Sequence, residues 1–394
     1  MTAAAAAVAA AQEALSTATG SAVRLGVPTD LGGSSRTLVL RVPVVSGDRL
    51  PGSVVVKAHL DGGPWETWVR EPAALDLLGA TPALAGLVPR LLTVAEQPPL
   101  VVLADLGAGR TDLASLLLGA DRQDAEEGLH SWAATLGRLH AGTAGTRNEL
   151  RAALARHARR LARPAPPDDD LPDALGRAAD ALADLLPRLG VAPPAAALDT
   201  VRHLQDLLAD DPLCWVLTPG DTCPDNNLLT DEGLVLLDFE GAAARHLAWD
   251  AAYLRVPWPS CWCSWALPSD VADRALQTWR DVVGARVPAV RGPGFDADLE
   301  VAEAGWAAIS TSWFLERALA EDAAPHAHDT SLTSDPAGVA PNRRAVIQHR
   351  LTQVAAGTDP RLADWRSVAA ATLEATRDRW GDHPLPLAPA FRGD

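Results

Sequence analysis

One stretch of the chain carries side chains suited to phosphoryl transfer. It runs from Val216 to Gly241 and reads V-L-T-P-G-D-T-C-P-D-N-N-L-L-T-D-E-G-L-V-L-L-D-F-E-G. Gly220-Asp221 is followed five residues on by Asn226, and the apolar run Leu234–Leu237 ends at Asp238. Moving a phosphoryl group from a nucleotide needs one carboxylate to hold the acceptor hydroxyl. It also needs an amide oxygen and a second carboxylate to hold the magnesium that bridges the phosphates. Asp221 is the natural base, Asn226 the amide ligand and Asp238 the main metal ligand. The spacing sets Asp221 and Asn226 at opposite ends of a tight loop, facing one cleft. Asp and Asn are also frequent in plain turns, but the apolar strands on both sides weigh against that reading here. Asn227 and Asp225 read as loop structure.

A second signal comes from composition. Of 34 Lys and Arg residues, Lys57 is the single lysine. The abundance of Ala, Arg, Asp and Pro suggests a GC-rich coding bias in which Arg replaces Lys wherever charge alone is needed. A compact ammonium and a broad guanidinium are not interchangeable, so a lysine that survives this bias is a candidate for work that Arg cannot do.

These residues need elements to hold them. Thr37–Val42 and Ser53–Ala58, separated by the turn Pro51-Gly52, read as β-branched strands. The segment 65–78 carries helical spacing with Glu71 among its apolar positions. Residues 88–94 and 100–103 read as two more short strands. After Gly107-Ala108-Gly109 the chain turns helical, at 113–118, around 128–140, at about 172–187 and at 197–209. Strand-like runs at 215–217 and 234–237 enclose the polar loop. From Asp250 to about 379 the chain is again helical, with loops at 292–294 and 324–341 and a loosely packed Pro-rich tail after Trp380. The Ala-rich N-terminus reads as a short surface helix.

Composition excludes several classes. The chain has 394 residues and a net charge of −16, so a nucleic-acid backbone or an anionic membrane is not its expected partner. Four cysteines make no disulfide framework. Zinc sites favour about two to four residues between paired cysteines. Cys214, Cys223 and Cys261-Trp262-Cys263 do not follow that spacing and read as free thiols. Cys223 follows Asp221 closely enough to line the cleft. The N-terminus lacks the basic region of a signal peptide, and no apolar run reaches the roughly 18 residues of a membrane span. A cytoplasmic protein, monomeric or homodimeric, is expected.

The motifs together resemble the kinase-like small-molecule phosphotransferases: aminoglycoside phosphotransferases, choline and ethanolamine kinases and related sugar kinases. Their catalytic loop reads H-G-D-x-x-x-x-N, and their metal strand ends in D-F or D-W. Here the loop is P-G-D-T-C-P-D-N and the strand ends D-F-E. V-V-V-K at 54–57 looks like the strand of the nucleotide-binding lysine, and R-E-P-A-A-L-D-L-L at 70–78 like the helix whose Glu71 pairs with it. Glu66 competes for that role. V-V-L-A-D-L-G at 101–107, with Leu103 and Asp105, looks like the adenine-binding hinge. L-G-R-L-H-A at 136–141 looks like a core helix, and Arg245 and Asp250 look like anchors of the metal strand.

The resemblance implies an α+β, two-lobed, protein-kinase-like fold. Its β-rich nucleotide-binding lobe spans 1–103, its hinge 104–107, and its mainly helical lobe 108–394, which carries the catalytic loop and the acceptor site. It implies a Mg²⁺- and ATP- or GTP-dependent enzyme that phosphorylates a hydroxyl of a small molecule of aminoglycoside, amino-sugar or amino-alcohol type. Nucleotide and Mg²⁺ would sit between the lobes, with Lys57 on the phosphates. Glu240 is a candidate for metal or a cationic acceptor. Trp258 and Trp262 are candidates for the acceptor pocket, as are Trp313 and Glu316, although Trp most often packs cores. Two departures stand out. Pro219 replaces the histidine that in the family braces the catalytic loop rather than doing chemistry; it is the best argument for the alternative, a catalytically silent nucleotide-binding protein with a scaffold or regulatory role. No Gly-rich phosphate loop is clear; 31–36, L-G-G-S-S-R, is the loose match.

Overall fold

Two-residue alternation along Ser53–His59 puts Val54, Val56 and Ala58 on one side of a strand and Val55, Lys57 and His59 on the other. The first set is buried with Leu40, Val42, Leu100 and Val102. A helix, α1 (Ala3–Thr19), closes over that face with Ala7, Ala11 and Leu15. Those residues recur every fourth position, one stripe of a helix. The N-terminus is therefore a core element of 17 residues rather than a short surface helix. Ala supplies the stripe because the small side chain lets the helix lie close to the sheet.

In this computed structural model the described residues are 2–34, 36–47, 49–60, 63–323 and 341–393. The loop expected at 324–341 lies, but for its last residue, outside them, as does Ser35 of the loose phosphate-loop match. The chain divides into two compact units. The first takes residues 1–111, 146–168 and 228–244; the second takes 112–145, 169–227 and 245–394.

The first unit is built on a sheet of β1 (Arg24–Leu25), β2 (Thr29–Gly33), β3 (Thr37–Ser46), β4 (Ser53–His59), β5 (Leu91–Glu96) and β6 (Pro99–Ala104). Its order is β1-β3-β4-β6-β5, with β2 on β3, and its pairs are antiparallel. Lys57 stands opposite Val39 on β3 and Val101 on β6. Helix α2 (Thr67–Gly79) also belongs here. In the second unit α3 (Leu113–Leu118) and α4 (Arg122–Thr143) come first; α5 (Arg147–Arg160) returns to the first unit and packs on α2. Helices α6 (Leu171–Leu185) and α7 (Ala195–Arg202) and strand β7 (Trp215–Thr218) follow. Strands β8 (Asn227–Thr230) and β9 (Gly233–Leu236) form a hairpin that leads to Asp238, and β10 (Ala243–His246) comes next. The chain ends in α8 (Ala248–Ala251), α9 (Ser269–Val283), α10 (Pro293–Ala323), α11 (Arg343–Ala356) and α12 (Ala363–Trp380). The expected α+β class, β-rich early and mainly helical late, is the one observed.

The second unit packs around tryptophan. Trp132, Trp249, Trp258, Trp265, Trp279 and Trp365 are fully buried. Gly305 of α10 is required by this packing, because a Cβ there would come within 2.2 Å of the Trp249 ring. The Pro-rich tail does not pack loosely. The Ala388 and Ala266 backbones exchange hydrogen bonds with their neighbours across the Ala266–Leu387 bridge, and Ala388, Ala390 and Phe391 are buried. Among the described residues no helix is long and apolar enough to cross a membrane.

Burial also sets the acid response. His246 is fully buried, and desolvation lowers its pKa to about 4, against a smaller opposing pull from Asp211. A depressed histidine stabilises the fold fully above the unfolded pKa, and that contribution is lost as pH falls from about 6.5 toward 4. Unfolding free energy should therefore drop between pH 7 and pH 5, with up to about 2 kcal/mol of the loss due to His246. Urea unfolding of the protein and of His246→Asn at both pH values checks this; an equal drop in the variant would assign the loss elsewhere.

Candidate active site

The first unit gathers four charged residues from distant parts of the sequence. Lys57 Nζ lies 2.6 Å from Asp238 Oδ1, 3.0 Å from Glu71 Oε2 and 3.4 Å from Glu240 Oε2. Alternation along β4 already turns Lys57 away from the α1 core, and α2 delivers Glu71 on that side. Both residues are buried. Glu66 precedes the helix, so of the two candidates Glu71 is the lysine's partner. Asp238 follows β9 with φ of +59°, a left-handed conformation uncommon outside glycine. Such outliers persist only where the surroundings fix them. Here Arg70, the neighbour of Glu71, helps: its guanidinium donates to the carbonyls of Ala242 and Pro167, both at 2.9 Å, and pins the segment after Asp238 to α2.

Three carboxylates against one ammonium leave this cluster with excess negative charge. Burial alone would lower the Lys57 pKa, but Glu71, Asp238 and Glu240 outweigh it and hold the ammonium above its usual range. Burial raises the Glu71 pKa; Lys57 opposes this, and the charges of Asp238 and Glu240 add to it. A donor set of hard oxygens with surplus negative charge fits a divalent cation. Asp238 and Glu240, partly exposed, are the members able to reach one.

The rest of the expected nucleotide-binding region is plain in its roles. Leu103 is buried on β6 opposite Val55. The Asp105 carboxylate accepts from Arg41 Nε at 2.7 Å, Ser53 Oγ at 2.5 Å and the Gly107 N–H at 3.0 Å. Burial pushes its pKa up, but these donors outweigh it and hold the carboxyl below its usual range. Its side chain thus braces the segment after β6. Residues 31–34 belong to β2 and the turn into β3, where Gly32 and Gly33 have positive φ.

The second unit carries the catalytic-loop residues. Gly220, with φ of +90°, turns the chain out of β7 into the loop. Asp221 Oδ1 accepts from Ser260 Oγ at 2.9 Å and from the Cys223 N–H at 3.1 Å. Asn226 Nδ2 reaches back to the Asp221 carbonyl at 3.4 Å, so both ends of the six-residue loop are tied together. Asn227 donates to the Thr222 and Cys223 carbonyls, the structural role expected of it. Tyr253 and Ser260 hydroxyls lie 3.2 Å apart, extending the chain of contacts behind Asp221. Ser260 and Tyr253 were not singled out from sequence.

Around this loop, His140 Nδ1 accepts from the Trp279 indole at 3.2 Å. An indole only donates, so His140 carries its hydrogen on Nε2, 3.1 Å from Asp250 Oδ2. Arg245 pairs with Asp170 at 2.5 Å. Trp258 is fully buried, edge-on to Trp132, and Trp262 donates to Asp225 Oδ2 at 2.9 Å. Glu316 is exposed on α10, and Trp313 beside it is 47% exposed.

No protein-family model matches the chain. No curated protein matches it either. Several solved structures are similar. A choline/ethanolamine kinase family protein from Mesorhizobium loti is 18% identical, with 90% of this chain and 93% of that one covered and a TM-score of 0.47. The choline kinase LicA from Streptococcus pneumoniae is 12% identical, over 89% and 94%, with a TM-score of 0.45. The aminoglycoside 2'-phosphotransferase-IIIa, solved as its GDP complex, is 14% identical, over 90% and 94%, with a TM-score of 0.44. These are the kinds of protein that the motif order resembles. At such identities the chemistry is read from the side chains of this chain.

Proposed function

We propose that this chain is a phosphotransferase that moves the terminal phosphoryl group of ATP or GTP to a hydroxyl of a small molecule. The observation that supports it most is the cluster of Lys57, Glu71, Asp238 and Glu240, an ammonium fixed among carboxylates whose surplus charge suits a divalent cation. In this reading Lys57 steadies the nucleotide phosphates, held in place by Glu71. Asp238 would hold Mg²⁺, which would supply positive charge to offset that of the phosphates, and Asn226 is the amide ligand that the resemblance implies. Asp221 accepts the acceptor's hydroxyl proton. The acceptor oxygen then bonds to phosphorus as the bond to the bridging oxygen breaks, leaving the nucleoside diphosphate. The hydrogen bonds from Ser260 and the Cys223 amide hold Asp221 ready for that proton. The net charge of −16 suits a cationic acceptor, an aminoglycoside, amino-sugar or amino-alcohol.

The test is a thermal-shift measurement with Mg²⁺-ATP and Mg²⁺-GTP, followed by nucleotide consumption over a panel of such acceptors. Consumption with release of the diphosphate is expected. Nucleotide binding with no consumption on any acceptor favours a silent binding protein, and release of pyrophosphate indicates transfer of the nucleotidyl group instead.

A further inference from the structure

The fold brings together three cysteines that the sequence keeps apart. Cys223 lies on the loop just past Asp221, and Cys261 and Cys263 flank Trp262. Their sulfur atoms all lie within 4.8 Å of one another, and all three residues are buried. The expectation of free thiols holds for Cys214 and Cys263 but not for Cys223 and Cys261, which are paired as a disulfide, 38 residues apart in sequence with Cα atoms 5.6 Å apart. We propose that in the reduced protein Cys223, Cys261 and Cys263 form a binding site for a thiophilic d¹⁰ cation, monovalent copper in preference to zinc.

Several observations carry this. The Cys223 and Cys263 sulfurs are 4.0 Å apart. Sulfurs spaced trigonally around a cation at about 2.3 Å lie about 4 Å from each other. The backbone N–H of Cys263 donates to Cys261 Sγ at 3.2 Å, a contact that favours the thiolate form a metal requires. Two hydrogen bonds fix the segments that supply the sulfurs: Ser260 to Asp221 and Trp262 to Asp225, each 2.9 Å. The segments that carry the ligands are thus held before any ion arrives. Burial raises the Cys263 pKa, and the charges of Asp225, Asp112 and Asp221 add to this. A bound cation would offset part of the thiolate charge that these surroundings disfavour. Among the described residues the cluster has three members and no fourth His, Cys or carboxylate within its span. Thiolates suit both zinc and monovalent copper, but structural zinc almost always takes four protein ligands, so a set of three favours copper.

The chemistry balances simply. A thiol or phosphine reductant gives two electrons to the Cys223–Cys261 disulfide, the S–S bond breaks, and two protons complete the thiols. Binding of the cation then sends the three thiol protons to solvent.

The test uses full-length protein reduced with a phosphine, freed of reductant under nitrogen and kept without nucleotide, so its outcome is independent of the phosphotransferase reading. It is titrated with Cu⁺ against a bicinchoninate competitor and with Zn²⁺ against a pyridylazo dye. One equivalent of Cu⁺ should be retained, with a sulfur-to-metal absorption in the near ultraviolet. Affinity should fall at least a hundredfold in Cys263→Ser and stay unchanged in Cys214→Ser. X-ray absorption on the unmodified protein should report three sulfurs around copper, which keeps the test valid if the serine variant misfolds. Failure to retain copper, retention unchanged in Cys263→Ser, tighter retention of Zn²⁺ than of Cu⁺, or a disulfide that survives reduction would each overturn the proposal.

Discussion

Asp221→Asn should lower phosphotransfer by about a hundredfold to ten-thousandfold while leaving nucleotide binding largely intact. The amide cannot take up the acceptor's proton. Its oxygen can still receive the hydrogen bonds that Ser260 and the Cys223 N–H give to Asp221 Oδ1, so the loop keeps its shape. The variant therefore separates chemistry from architecture. Steady-state turnover and calorimetric nucleotide titration are the measurements, with a melting curve to show that the fold persists. Undiminished turnover would remove Asp221 from the mechanism.

Lys57 should give the other large effect, and on two separate scales. Replacing it by Met leaves Glu71 buried without its cation, and breaking a buried pair in this way costs about 3–5 kcal/mol. Asp238 and Glu240 add less, because both are partly exposed and water can screen them. The double variant Lys57→Met/Glu71→Gln should recover much of the lost stability, since it removes the orphaned charge, yet regain no activity. Lys57→Arg keeps the charge but spreads it over a planar fork. With Glu71, Asp238 and Glu240 all within 3.4 Å of the ammonium, there is no room for that wider group without moving a carboxylate. It should remain folded and lose most nucleotide use. Urea unfolding and nucleotide titration follow both scales. Normal activity in Lys57→Arg would mean that the chain's lone lysine has no special task.

The parts of this arrangement that were legible in the sequence are those with local signatures. Alternation in Ser53–Ala58 gave the strand and the side on which Lys57 stands, and helical spacing put Glu71 on a helix. An apolar strand ending at Asp238 was equally plain. What could not be read depends on tertiary approach. Ser260 sits 39 residues from the carboxylate it touches, and nothing local marks a serine as a donor to Asp221. The cysteine trio failed a spacing rule that applies to ligands on one knuckle, because its members come from two segments that only the fold unites. An alanine stripe has little hydrophobic contrast, so by itself helix α1 reads as a surface element; its burial is decided by how closely the sheet approaches. The tail differs from its expectation for a related reason. Proline suppresses regular structure, but it does not prevent Ala388 and Phe391 from docking.

The first unit is drawn from three separate stretches, and the last ends at residue 244. On a ribosome, which adds about 5–20 residues per second, Lys57 and Glu71 emerge on the order of ten seconds or more before Asp238 and Glu240. During that interval the early strands and α2 hold one ammonium against one carboxylate, a neutral pair that can be buried at once. The surplus negative charge enters only with the final segment, after the rest of the sheet is available to receive it. The order of synthesis thus spares the nascent unit this surplus charge until the chain that completes the cluster has been made.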